Sequence, residues 1–246
     1  MAYSAVDCLA LLIVLGGSLV QALLGIGFAL LAAPLLYLLD PGYVPGPVLL
    51  LGFVLACCML LGNRRALAWR RPMPAILARL PGAWCGGLLL GLLPGAWLGL
   101  LLSACVLLAA LSSYRWLALP CSPRNLAVAG FCSGLMGTAT AVGGPPMALV
   151  YQARDPLDAR IELAAFFLLT TPASLLALLY QGRLPLDALL ASGLKLAPGV
   201  LVGYGLAVCL QGRFDRQRPR QLLLLMALLA AGGLLLLSLW RLWSGG

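Results

Sequence analysis

Long apolar segments separated by short polar loops take up nearly the whole chain, and they restrict its fold more than any other feature. Hydrophobic residues make up 63% of the 246 residues and charged residues only 9%. A helix of about 20 apolar residues is long enough to cross a bilayer. Strand-like alternation is absent, so we expect an all-α polytopic membrane protein and not a barrel. About eight hydrophobic segments are present: Ala5–Leu38, Val44–Leu61, Pro74–Leu92, Ala96–Leu119, Asn125–Tyr151, Ile161–Tyr180, Ala188–Leu210 and Gln221–Trp243.

The composition excludes several kinds of chemistry. The chain has no histidine, which rules out histidine acid–base catalysis, Ser–His nucleophiles and histidine metal sites. Its eight cysteines include no CxxC pair, and most lie in apolar segments where cysteine behaves as a small hydrophobe. A thiol role for Cys132 is the alternative. We therefore predict no metal, no cofactor and no enzymatic activity.

The net charge of +9 comes almost entirely from arginines in the short loops. Such a distribution is typical of residues that orient a membrane protein, because cytoplasmic loops are enriched in Lys and Arg. We predict the lipid bilayer as a partner and no nucleic acid.

Two of the apolar segments are interrupted. As a single helix, Ala5–Leu38 would measure about 50 Å, against ~30 Å of hydrocarbon, and Gly25 and Gly27 lie within it. The fifth segment is also broken by helix-disfavouring residues. These are Gly137, Gly143, Gly144, Pro145 and Pro146. Both segments are therefore predicted to be discontinuous helices.

Matching motifs indicate an internal duplication. Gly25 is followed nine residues later by Pro34, and Gly137 is followed nine residues later by Pro146, a shift of 112 residues. A Pro-Gly-x-x-x-Gly motif recurs with a shift of 117, at Pro81–Gly86 and Pro198–Gly203. The sequence thus predicts two membrane repeats, residues 1–119 and 120–246, within one integral membrane domain.

The distribution of basic residues separates two topologies. If every segment crosses once, ten basic residues fall on one side and six on the other. If segments one and five are re-entrant hairpins, only Arg183, Lys195 and Arg241 face outside and thirteen face inside. The second distribution fits the positive-inside rule better. Each repeat would then cross three times, so the second would be inverted relative to the first, as in many transporters.

A hairpin within the membrane also creates a binding site. Its second half-helix begins inside the bilayer, where first-turn N–H groups and the helix dipole favour an anion. Glycines allow close approach of a ligand, and hydroxyls and an amide add donors. No buried arginine is expected here. The alternative is that the small residues only allow close helix packing, which we prefer for Gly82/Gly86 and Gly199/Gly203. The candidate substrate-binding residues are Gln21, Gly25, Gly27, Ser133, Gly137, Thr138, Thr140, Gly143 and Gly144.

Two basic residues lie shortly before the prolines of the repeated Pro-Gly-x-x-x-Gly motif. Arg79 precedes Pro81, and Lys195 precedes Pro198. We predict that they line opposite vestibules and attract anions. The alternative is that they snorkel to the membrane surface. No acidic residue stands out as a proton carrier, and Asp7 is the nearest candidate.

The interrupted segments resemble the sulfite exporter TauE/SafE family, also described as toluene-sulfonate uptake permeases. The resemblance rests on VQALLGIGFALLAAP (Val20–Pro34) and CSGLMGTATAVGGPP (Cys132–Pro146), supported by PGAWCGG (Pro81–Gly87) and PGVLVG (Pro198–Gly203). It implies a multi-pass bacterial inner-membrane carrier of sulfite or organosulfonates. We therefore expect an anion transporter that exports by alternating access. An anion channel using the same site is the main alternative; an intramembrane enzyme and an assembly protein fit less well. The oligomeric state and coupling ion stay open.

Overall fold

The computed structural model describes residues 4–62, 70–93, 95–112, 119–152, 154–210 and 217–244. These residues form ten α-helices and a short 3-10 turn at Pro41–Tyr43. The predicted all-α polytopic fold is confirmed. The helices are α1 (Ala5–Leu24), α2 (Phe28–Leu39), α3 (Gly46–Leu61), α4 (Met73–Leu92), α5 (Gly95–Ser112), α6 (Pro123–Thr140), α7 (Gly144–Tyr151), α8 (Pro156–Tyr180), α9 (Leu186–Leu210) and α10 (Gln217–Ser244).

Five of the described helices are long and apolar enough to cross a membrane. They are α1, α4, α8, α9 and residues Leu224–Trp243 of α10. Shorter apolar helices occur at Phe28–Leu39, Gly46–Leu61 and Trp97–Ala110. Eight predicted segments became ten helices because segments one and five are each divided in two, as their glycines and prolines predicted.

Both breaks use a left-handed residue to stop the first half-helix. Gly25 ends α1 with φ 88°, and its N–H donates to the Gln21 carbonyl at 2.7 Å. Ala141 ends α6 with φ 65°, and its N–H donates to the Gly137 carbonyl at 2.8 Å. This conformation closes a helix end but strains a residue that has a Cβ. The second half-helices then start at Phe28 and Gly144.

The residue that ends α6 in the way that Gly25 ends α1 is Ala141, one helical turn after Gly137. The offset between these two helix ends is 141 − 25 = 116 residues. Gly137 lies within α6. Glycine identity was misleading here because Ala141 adopts the left-handed conformation without being glycine.

Each half-helix pair folds back on itself. A Cβ placed on Gly17 of α1 would lie 3.1 Å from the Phe28 ring and 3.6 Å from the Ala32 Cβ. A straight helix would separate Gly17 from Ala32 by about 22 Å. In the second pair, the Leu119 N–H donates to the Leu149 carbonyl at 3.0 Å, which brings the end of α7 beside the start of α6. Both broken segments are hairpins.

The ends of the first hairpin also meet. The α2 helix packs against α1, and Tyr43, which follows α2, packs against the core cluster that contains Ala10 of α1. Asp7 lies near the start of α1 and Asp40 caps the end of α2. The chain therefore enters and leaves this hairpin at the same end of the molecule.

The hairpins pack closely and in parallel against helices that are distant in the sequence. On α4, a Cβ at Gly82 would overlap the Phe131 carbonyl, and one at Gly86 would overlap the Leu135 carbonyl of α6. The preferred packing role of these glycines is confirmed, because a side chain would push the helices apart.

The same packing joins α1 to α9. A Cβ at Gly199 would lie 3.0 Å from the Leu11 carbonyl, and one at Gly203 would overlap the Leu15 carbonyl. The other main pairs are α3 with α8 and with α9, α4 with α8, and α5 with α10.

Candidate anion-binding site

The two helix breaks meet at one cavity of about 70 Å³. Gly27 and Phe28 bring the start of α2 to its wall, and Gly143, Gly144 and Pro145 bring the start of α7. The N-terminal ends of both returning half-helices therefore face the same space, where their dipoles favour negative charge. The rest of the wall comes from α3, α4, α5 and α8, including Val48, Gly52, Arg79, Ala109, Phe167 and Thr171.

The two helix starts do not offer equal numbers of amide donors. At α2 the Phe28 N–H is used by the Gln21 side-chain oxygen at 3.0 Å, but Ala29 and Leu30 lie in the first turn, where helix geometry provides no acceptor. At α7 the first turn contains Pro145 and Pro146, which have no N–H. The α7 side of the cavity is therefore poorer in backbone donors.

Arg79 lies on the side of the cavity that is poor in amides. Its side chain is only 1% exposed. Its Nη1 donates to Ser133 Oγ at 2.7 Å, and the Ser133 hydroxyl donates to the Gly143 carbonyl at 2.5 Å. The guanidinium carbon lies 5.0 Å from the Phe166 ring centre and 5.1 Å from that of Phe167, within cation–π range.

The charge on Arg79 has no carboxylate partner in the part of the chain that the structure describes. The residues that line the cavity include no acid. Asp7 pairs with Lys195, and Glu162 pairs with two other arginines. Arg79 Nε has no hydrogen-bond partner. A buried cation without a counter-ion is unfavourable by several kcal/mol, so this cavity is suited to an anion.

The predicted substrate-binding residues divide into two groups. Gln21, Gly27, Gly143 and Gly144 line the cavity. The other five do not belong to its lining. Gly25 packs instead against Arg160, where a Cβ would lie 3.0 Å from the arginine Cβ.

The predicted hydroxyl donors are used within the protein. Thr138 donates to Ser174 Oγ at 2.8 Å. Thr140 donates to the Met136 carbonyl at 2.8 Å and accepts from the Val142 N–H at 3.3 Å. Ser133 lies behind the cavity wall and holds Arg79. Thr140 thus stabilises the helix break, and Thr138 joins α6 to α8; neither residue lines the cavity.

Gly137 allows the close approach of Arg79. A Cβ placed on Gly137 would lie 3.2 Å from Arg79 Nη2 and from the Gly143 Cα. The glycine is thus a spacer between the arginine and the second break.

The two predicted vestibule residues occupy different environments. Arg79 lies in the cavity wall, contrary to both the vestibule position and the expectation that no arginine is buried. Ser133 and the two phenylalanine rings offset part of the cost of burying it. Lys195 is partly exposed and pairs with Asp7 at 2.5 Å, joining α9 to α1. Asp7 is therefore an ion-pair partner here.

The sequence reasoning also missed Phe167 and Thr171 of α8, which line the cavity. The available signal was a pair of aromatic residues followed by paired threonines, Phe166–Thr171, in the middle of an otherwise apolar segment.

The family comparison covers nearly the whole chain. The model of the family described as sulfite exporter TauE/SafE matches residues 9–234. The chain belongs to this family. No curated protein and no solved structure matches the TauE/SafE chain.

Membership in the TauE/SafE family supports a transport role. The family is one of exporters of a sulfur anion, so this TauE/SafE protein is a multi-pass membrane transporter with a small anionic substrate and a lipid environment. A transporter family also fits the prediction that the protein is not an enzyme.

Proposed function

We propose that this TauE/SafE protein exports sulfite, or a similarly small sulfur oxyanion, across the bacterial inner membrane by alternating access. The observation that carries the proposal is the cavity in which Arg79 and the starts of α2 and α7 face one space. These groups provide one full positive charge and two partial ones in an apolar surrounding, where each acts strongly on an anion.

The family description favours sulfite as the substrate. The matching family model is that of a sulfite exporter, and the cavity of about 70 Å³ is several times the roughly 10–15 Å³ that one water molecule needs on the same measure. The cavity therefore has room for an oxyanion, and we place sulfite ahead of the organosulfonates.

The pattern of helix packing supports the two inverted repeats proposed at residues 1–119 and 120–246. Exchanging α1–α5 with α6–α10 converts the contact of α4 with α6 into that of α9 with α1. It likewise converts the contact of α3 with α9 into that of α8 with α4, and the contact of α2 with α10 into that of α7 with α5. Such pseudo-symmetry around a central site is what alternating access by inverted repeats requires.

Uptake of radiolabelled sulfite into proteoliposomes tests the proposal. We expect saturable uptake of label that unlabelled sulfite inhibits. Sulfate, thiosulfate, an aryl sulfonate and acetate are tested as competitors in the same assay. Replacing Arg79 with Gln removes the full charge. The sulfite concentration that gives half-maximal uptake should then rise by about tenfold or more. Arg124→Gln is the matched control, because Arg124 is exposed at the start of α6.

Each alternative has its own result. Flux that rises linearly with sulfite concentration would indicate a channel. Absence of flux for every anion in the panel, with protein that remains monodisperse in detergent, would remove the substrate class.

A further inference from the structure

We propose that this protein is an anion exchanger, in which the return of the carrier requires a second anion. The inference rests on the proposed transport function and concerns what happens when the cavity is empty. It follows from the way in which Arg79 is held.

The positive charge of Arg79 is permanent. A guanidinium does not lose its proton under physiological conditions. Its side chain is 1% exposed, so bulk water screens the charge only weakly. Nη1 is held by the Ser133 hydroxyl, and the guanidinium lies against the Phe166 and Phe167 rings. Arginine therefore cannot avoid the cost of burial by becoming neutral.

The described residues provide no replacement for the substrate as a counter-ion. The Ser133 hydroxyl hydrogen already points to the Gly143 carbonyl, and the rings contribute only their quadrupoles. The acids that lie deepest, Asp7 and Glu162, are engaged by Lys195 and by Arg71 and Arg154. A bound anion is thus the group that neutralises Arg79.

The consequence concerns the occluded state through which alternating access must pass. When both sides of the cavity are closed, a loaded carrier holds a neutralised arginine, and an empty carrier holds an isolated cation away from water. Desolvation raises the free energy of the second state much more than that of the first. The loaded carrier should therefore reorient faster than the empty one.

The experiment compares exchange with net export. Proteoliposomes are loaded with radiolabelled sulfite and diluted into buffer with or without unlabelled sulfite. We expect external sulfite to accelerate release of the label by at least about tenfold. An imposed potassium-diffusion potential should cause no rapid net release of sulfite in the absence of external sulfite, because exchange moves equal charges in both directions.

Three variants separate charge from packing. Arg79→Gln removes the buried charge, so the empty carrier should reorient about as fast as the loaded one. External sulfite, although bound more weakly, should then give almost no acceleration when it is supplied at a saturating concentration. Arg79→Lys retains the charge and should retain the acceleration. Arg124→Gln should behave as the unmodified protein.

The outcomes are distinguishable from those of the proposed function. Saturable sulfite release that is equally fast with and without external sulfite would overturn exchange and leave sulfite transport standing. Net sulfite release that the imposed potential drives in the absence of external sulfite would also overturn it. Absence of sulfite movement in either mode would remove both proposals. If Arg79→Gln does not fold, the two measurements on the unmodified protein still decide the question.

Discussion

Arg79, Ser133 and Gly143 form a chain of contacts that links α4 to the second helix break. The serine accepts from the arginine and donates to the glycine carbonyl, so one hydroxyl fixes both a charge and a backbone turn. A hydroxyl that lies outside the cavity lining can therefore affect the site through its neighbours. Its replacement leaves two buried polar groups without partners.

Ser133→Ala tests this arrangement. We expect the half-saturating concentration of sulfite to rise by about tenfold. The free energy of unfolding should fall by about 1–3 kcal/mol, because Arg79 Nη1 and the Gly143 carbonyl lose their partner. Binding is measured by competition for labelled sulfite, and stability by thermal unfolding in detergent.

Ser103→Ala is the matched control for this variant. Ser103 is also fully buried, but its hydroxyl donates to the Gly99 carbonyl one turn earlier in α5. That carbonyl also serves the helix ladder, so the loss should be small. Equal effects of the two variants would show that Ser133 has no special relation to the site.

The close contact of α4 with α6 sets the depth of Arg79 in the molecule. Arg79 is the seventh residue of α4, and a Cβ at Gly134 of α6 would lie 2.5 Å from the Arg79 carbonyl. Glycines on both helices allow this approach, which brings the arginine opposite Ser133. Widening the contact should therefore displace the charge from the cavity.

Gly82→Ala provides that change. We expect a loss of about 1–3 kcal/mol in stability, because the added methyl group overlaps the Phe131 backbone carbonyl. Sulfite affinity should fall in the same variant, as measured by competition. Gly205→Ala on α9 is the control, since a Cβ there meets nothing within 4 Å. An equally stable Gly82→Ala protein would contradict the tight α4–α6 interface.

Local signals in the sequence were sufficient for the breaks. Gly25 and Gly27 stop α1, and Pro145 and Pro146 start α7, because each residue acts on its own backbone. The position of Arg79 was not predictable in this way. It depends on the pairing of α4 with α6, which joins residues 54 positions apart in the sequence. Ala141 was missed for another reason: its left-handed conformation is imposed by the turn and not by its type.

The arrangement of loops gives the molecule two distinct ends. Gly46, at the start of α3, packs against Leu184 in the connection between α8 and α9. Leu119 pairs with Leu149 at the other end. We predict that the first end faces away from the cytoplasm, because few basic residues lie there, and that the second end faces the cytoplasm.

Cysteine labelling tests this orientation. In a cysteine-free background, Pro41→Cys and Pro185→Cys should react with a membrane-impermeant maleimide in intact cells, and Pro120→Cys should react only after permeabilisation. All three positions are exposed. Labelling of Pro120→Cys in intact cells together with the other two would exclude the proposed orientation.

The pairing of α1 with α9 places a demand on biogenesis. Asp7 and its partner Lys195 are separated by 188 residues, so the first hairpin leaves the ribosome long before the helix that neutralises its acid exists. Until then the Asp7 carboxylate has only its local hydrogen bonds from the Ser4 N–H and hydroxyl. The contact between α1 and α9 is therefore completed late in synthesis, and a chain truncated before α9 lacks the partner that covers this face of the first hairpin.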